Sequence, residues 1–91
     1  MQIKLYGLIR QAAGVKIIEK EAHPGLTVRD VLAELTQQYP MLVKYIWKES
    51  GELSELAHVF INGENLRHLS GPDTILKPED HVDIFPPVVG G

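Results

Sequence analysis

Polar and apolar residues alternate from the first positions of the chain. Ile3 and Leu5 fall on one side and Gln2, Lys4 and Tyr6 on the other, the period of a half-buried strand. Gly7 and Gly14 bracket a short segment, Leu8 to Ala13, with room for about one helical turn or an irregular loop. Residues 15–21 read as a second strand. The adjacent Ile17 and Ile18 leave its buried face open. The two strands are near enough to form an antiparallel hairpin with a wide loop. After the turn at His23-Pro24-Gly25, the period changes to that of a helix. Val28, Val31, Leu32, Leu35 and Tyr39 make one apolar stripe, and Arg29, Glu34, Gln37 and Gln38 fall largely off it. Thr27 is a good N-cap with Asp30 in the capping-box position, and Pro40 halts the helix. Residues 41–57 carry Met41, Leu42, Val43, Tyr45, Ile46 and Trp47 without a clean period, so a short helix or irregular packing is expected there. His58 to Ile61 is a short strand, Asn62-Gly63 a hairpin turn and Glu64 to Arg67 a brief return strand. The last strand is His81 to Phe85, with Val82 and Ile84 on one face and His81, Asp83 and Phe85 on the other.

The order is strand, strand, helix, strand, short strand, strand. Such a chain buries its apolar faces by laying the helix across one face of a mixed sheet. The first and last strands can then pair in parallel at the centre, joined by a long crossover. The expected class is α+β, in the β-grasp arrangement of ubiquitin-like proteins. Residues 1–85 are expected to form the domain and residues 86–91 a flexible C-terminal arm.

Composition narrows the chemistry. With 91 residues the chain is one domain. A net charge of −3 disfavours nucleic acid, whose binders carry a basic patch. No cysteine is present, so disulfides, zinc-thiolate sites and a cysteine nucleophile are excluded. No apolar run approaches the roughly 20 residues of a membrane span, and the first residues do not read as a signal peptide. A cytoplasmic protein is the expectation. The remaining oddity is Gly90-Gly91 after Pro86-Pro87-Val88-Val89. Glycine costs the most backbone entropy to order, so a diglycine is a poor end to a fold. It can, however, thread a narrow channel and present a bare α-carboxylate. A frayed end is the competing reading.

Several stretches resemble one family within this fold. They are Tyr6-Gly7-Leu8-Ile9-Arg10-Gln11-Ala12-Ala13-Gly14, Leu26-Thr27-Val28-Arg29-Asp30-Val31-Leu32, Val59-Phe60-Ile61-Asn62-Gly63, and the run from Asp73 through Asp80, Val82 and Ile84 to Phe85-Pro86-Pro87-Val88-Val89-Gly90-Gly91. Together they resemble the small-subunit family of molybdopterin synthase, which are ubiquitin-like sulfur carriers. Gly7 stands where that family more often has alanine, Glu79 where it usually has glycine, and Val89 where alanine is common.

The resemblance implies that the terminal carboxyl of Gly91 is the reacting group. An E1-like enzyme would adenylate it with ATP, and a sulfur donor protein would convert it to a thiocarboxylate. The large subunit of molybdopterin synthase would then use that sulfur on a pterin precursor of the molybdenum cofactor. The chain itself would be a carrier, not an enzyme alone, with no permanently bound cofactor and no metal. Pro86 and Pro87 favour an extended backbone. From Pro86 to Gly91 the arm can reach ~20 Å, at ~3.1–3.4 Å per residue. Phe85, Pro86, Pro87, Val88, Val89 and Gly90 are the expected partner-binding stretch. Phe85 suits an exposed partner anchor or packing on the second sheet face. Arg10 is a possible partner contact or a solvated loop arginine. Trp47 is expected to be buried under residues 41–57. His23, His58, His68 and His81 lack metal-ligand spacing. Asp80 and Asp83 suit turn or surface roles better than acid–base work. Other functions stay open: a thiamine-type sulfur carrier, a ubiquitin-like modifier conjugated through Gly91, and an interaction module that never uses its terminus.

Overall fold

A computed structural model describes residues 1–86. Residues 87–91, and with them most of the expected arm, lie outside the described residues. Five strands form one mixed sheet in the order β2-β1-β5-β3-β4. They are β1 (Gln2–Leu5), β2 (Ile17–Glu19), β3 (His58–Ile61), β4 (Glu64–Asn65) and β5 (His81–Phe85). The pairing of β1 with β5 is parallel, with Ile3 opposite Val82 and Leu5 opposite Ile84. The other pairs are antiparallel. This is the expected β-grasp arrangement, with the last strand central.

Helix α2 (Val28–Gln38) crosses one face of the sheet. Its start is fixed as the sequence implied. The Asp30 amide donates to Thr27 Oγ1 at 3.2 Å, and the Thr27 amide donates to Asp30 Oδ2 at 3.1 Å. The reciprocal pair satisfies two amides that otherwise have no helical partner, and it holds the Asp30 carboxyl below the usual range, chiefly through the Thr27 backbone donor. Val28, Val31, Leu32 and Leu35 pack with Ile3, Leu5, Val59, Ile61, Val82 and Ile84 in one core. Alternate sheet residues are therefore committed to α2, and the remaining set is left on the opposite face.

Four expectations need correction. Residues 7–13 form a seven-residue helix, α1 (Gly7–Ala13), closed by Gly14, whose amide donates to the Arg10 carbonyl at 2.9 Å. Buried Ile9 holds α1 to the core, which is why the segment exceeds a single turn. Arg10 is accordingly an exposed helix residue, not a loop residue. The second strand covers only Ile17–Glu19 of residues 15–21. Its register puts Ile18 opposite Ile3, against the core, and leaves Ile17 exposed. The return strand stops at Asn65, because the Asn65 side chain accepts from the Arg67 amide at 2.9 Å and starts a 3-10 turn over Leu66–His68.

The segment without a clean period is a 3-10 turn (Pro40–Leu42) running directly into α3 (Val43–Ile46). The switch between helix types breaks any single repeat. Leu42 and Ile46 are nevertheless fully buried. Trp47, expected to be buried under residues 41–57, is half-buried against the core instead, because its Nε1 donates to Thr36 Oγ1 on α2 at 3.0 Å. No helix among the described residues is long and apolar enough to cross a membrane.

Candidate functional site: the open sheet face at the root of the arm

Because α2 covers only one face, β1, β5 and β3 present Lys4, Asp83, Phe85, His58 and Phe60 on the other, and Tyr6, directly after β1, joins them. Strand register sets their neighbours: Lys4 and Phe60 flank Asp83, and His58 lies opposite Phe85. The aromatic side chains gather into a cluster. Tyr6 stacks on Phe85 with ring centroids 4.1 Å apart and planes 14° from parallel. Phe60 meets Phe85 edge-on at 5.5 Å and 87°. Such offset and edge-to-face pairs satisfy the ring quadrupoles. Phe85 is thus half-buried within an aromatic platform, which resolves the two readings the sequence left open: it packs on the second face and still shows one side to solvent.

Polar groups fix the platform's orientation. The Tyr6 hydroxyl donates to Asp83 Oδ1 at 3.0 Å. Burial, reinforced by the hydrogen bond to Asp83 and that residue's negative charge, raises the Tyr6 phenol above its ordinary value. The Lys4 ammonium lies 5.4 Å from the Tyr6 ring centroid, within cation–π range. Below the platform, Asp80 is buried in the turn before β5. Its carboxylate accepts from Asn62 Nδ2 and from the Lys77 amide, both at 2.8 Å. That is the turn-stabilising role expected of it, and it ties the β3–β4 hairpin to the start of β5.

Pro86 follows Phe85 at the rim and is half-buried beside Gly7. Phe85 and Pro86 are therefore brought together with Tyr6 and Phe60, while Arg10 is exposed on α1. Pro87, Val88, Val89, Gly90 and Gly91 lie outside the described residues. The sequence reading missed Tyr6 and Phe60. Tyr6 carried a signal, since it already alternated with Ile3 and Leu5, but only the β1–β5 register shows that it stacks on Phe85. What the face offers is apolar contact area beside Pro86, a feature of a docking surface.

A family model described as the ThiS family matches residues 3–91. The chain belongs to the ThiS family. It is 34% identical to small archaeal modifier protein 3 of Haloferax volcanii over 91 residues, covering 100% of this chain and 98% of that one. It is 39% identical over 66 residues to a putative sulfur carrier protein of Archaeoglobus fulgidus, covering 72% of this chain and 75% of the relative. Among solved structures, a putative molybdopterin converting factor subunit 1 of Pyrococcus furiosus superposes with a TM-score of 0.75 at 27% identity, covering 96% of this chain and 95% of that one. The ThiS-family fold seen here is thus shared by ubiquitin-like sulfur carriers and protein modifiers.

Proposed function

We propose that this chain is a sulfur carrier whose reacting group is the Gly91 carboxylate, and that it serves as the small subunit of a molybdopterin synthase. The observation that carries the reading is the aromatic platform on the central strand, from which the chain runs directly into Pro86 and the Gly-Gly end. The likeness to a molybdopterin converting factor subunit supports the pterin pathway, and that to a putative sulfur carrier supports the cargo.

The chemistry follows from the poor leaving group of a carboxylate. A Gly91 carboxylate oxygen attacks the α-phosphorus of ATP, pyrophosphate leaves, and an acyl-adenylate forms. Hydrosulfide then attacks the acyl carbon and expels AMP, giving the thiocarboxylate and a proton. With a persulfide donor, the first product is an acyl disulfide, which a second thiol cleaves to the thiocarboxylate and a mixed disulfide. The thiocarboxylate sulfur attacks an electrophilic side-chain carbon of a pterin precursor and displaces an oxygen leaving group from it, and water then hydrolyses the resulting acyl thioester, leaving a thiol on the pterin and restoring the Gly91 carboxylate. The activating enzyme and the large synthase subunit supply the catalytic groups. Phe85 and the platform dock, and residues 86–90 span the distance to the active site.

The test is mass spectrometry of the chain from cells that contain the activating machinery. A Gly91 peptide about 16 Da heavier, from the exchange of oxygen for sulfur, is the expected product. Co-purification with a large subunit, followed by pterin sulfuration, tests the pathway; a thiocarboxylate without pterin sulfuration would leave the carrier reading and remove the synthase role.

A second reading has its own support, the full-length likeness to a small archaeal modifier protein. The same acyl-adenylate can acylate a lysine amine, releasing AMP and leaving an isopeptide. Gly91-bearing lysine peptides in digests of host proteins are its signature. Loss of both activities on deleting Gly90-Gly91 separates either reading from an interaction module that never uses its end.

A further inference from the structure

The segment between α2 and β3 plays no part in the carrier reading, yet it holds apolar side chains that the core does not use. Its inward positions are filled by Leu42 and Ile46, both fully buried. Outward positions of such a segment are ordinarily polar. Here Met41 is 48% exposed and Val43 45%. With the half-buried Trp47 they line an open groove of about 390 Å³, rimmed by Lys44, Lys48 and Glu49. Single exposed apolar residues are ordinary, whereas a contiguous apolar surface with a polar rim marks an interaction site. The groove is also preformed. Trp47 Nε1 is bonded to Thr36 Oγ1, the Trp47 amide donates to the Val43 carbonyl at 2.9 Å, and Trp47 forms a β-bridge with Leu53. A wall fixed in this way needs little further ordering when a partner binds, and the unbranched Met41 can adjust to the shape it meets.

Charge and size restrict what fits. The chain carries −3 overall, but the rim sets two ammonium groups against one carboxylate. Lys44 Nζ lies 5.2 Å from the Tyr45 ring centroid and has no ion-pair partner among the described residues. Lys48 pairs with Glu55 at 3.2 Å, but both side chains are exposed, and such a pair is weak enough to exchange. The volume admits a few side chains of a short segment, not the roughly 800 Å² per partner that a stable dimer buries. We infer that this groove is a docking site for a short acidic amphipathic helix of a partner protein, with its apolar face on Met41, Val43 and Trp47 and its carboxylates toward Lys44 and Lys48. The bond from Trp47 to Thr36 puts the groove on the α2 side of the sheet, and the aromatic platform lies on the other. Both surfaces can therefore be occupied at once. The inference stands apart from the carrier reading, because it uses no atom of the arm.

The experiment is a titration of the full chain at low salt, followed by the emission of Trp47, its one tryptophan. The probe is a synthetic amphipathic peptide of three helical turns, with leucine on one face and glutamate on the other. A saturable blue shift is expected, with a Kd between about 1 μM and 1 mM. No saturable shift in that range overturns the inference. So does equal binding of a peptide with lysine in place of glutamate, or of one with serine in place of leucine. K44E should weaken binding by about fivefold or more, while K16E, the same change of charge at an exposed site on the far edge of the sheet, should stay within about twofold. Equal losses in the two variants reduce the effect to net charge and overturn the groove. Binding that K44E leaves unchanged lies elsewhere on the surface and does the same. Should K44E not fold, M41S carries the test: it should weaken binding by about threefold or more, and an unchanged Kd overturns the site. A blue shift on concentrating the chain alone makes the occupant a second copy and overturns the peptide partner.

Discussion

Replacing Tyr6 by phenylalanine isolates one hydrogen bond of the platform. The ring, its stack on Phe85 and its contact with Lys4 remain, and only the hydroxyl donated to Asp83 Oδ1 at 3.0 Å is lost. A hydrogen bond to a charged acceptor contributes about 1.5–3 kcal/mol when it is shielded from water. Both residues are half-exposed on the open face, so solvent screening reduces this to about 1 kcal/mol. For a domain of this size, 1 kcal/mol corresponds to a fall in Tm of about 4–8 °C. The pH dependence sharpens the test. The folded phenol has a raised pKa, so the native state keeps its proton where the unfolded chain, near pH 10, releases it. The stabilisation is complete below that pH and is lost as pH rises through it toward the folded value. Urea unfolding of both proteins at neutral pH and again above pH 10 gives the comparison. Tyr39 and Tyr45 are common to both chains, so their contributions cancel in the difference. The Tyr6→Phe chain should be less stable at neutral pH, and the gap should close in alkali. Equal stability at neutral pH, or a gap that stays constant into alkali, would refute the role assigned to the hydroxyl.

Other outcomes follow from the contacts within the fold. Thr27→Ala removes the acceptor for the Asp30 amide and should cost about 1 kcal/mol in urea unfolding. Asp30→Asn should flatten the acid limb: the depressed carboxyl stabilises the fold above its unfolded pKa, near pH 4, and that contribution disappears as pH falls through the lower folded value. Leu32→Ala, at a fully buried site under the sheet, should cost about 2–5 kcal/mol by chemical denaturation. On the carrier reading proposed above, Phe85→Ala should weaken binding to the E1-like enzyme by at least about 1 kcal/mol in titration calorimetry, as expected for an aromatic anchor.

Much of this was legible in the sequence because single side chains carried the signal. The capping box at Thr27 and Asp30, the α2 stripe and the Val82/Ile84 face each follow from local spacing, and each is found where that spacing puts it. What escaped depended on distant partners. The length of α1 depends on Ile9 reaching a core built mainly from other elements. The face of β2 depends on Ile18 meeting Ile3, a choice two adjacent isoleucines cannot express. The platform needs Phe60 and Phe85 from two strands and Tyr6 from the residue that follows β1, and only the strand register brings them together.

The central position of β5 has a consequence for how the chain is made. On a ribosome, β1 through β4 emerge before the strand that lies between them. Until β5 arrives, the sheet is two separate ribbons, β2-β1 and β3-β4, and isolated two-stranded ribbons are marginal in water. The core facing α2 also lacks Val82 and Ile84. A nascent chain that stops short of Phe85 therefore presents no finished docking face. Any enzyme that recognises this sheet inspects, in the same contact, whether translation has carried through to the root of the arm.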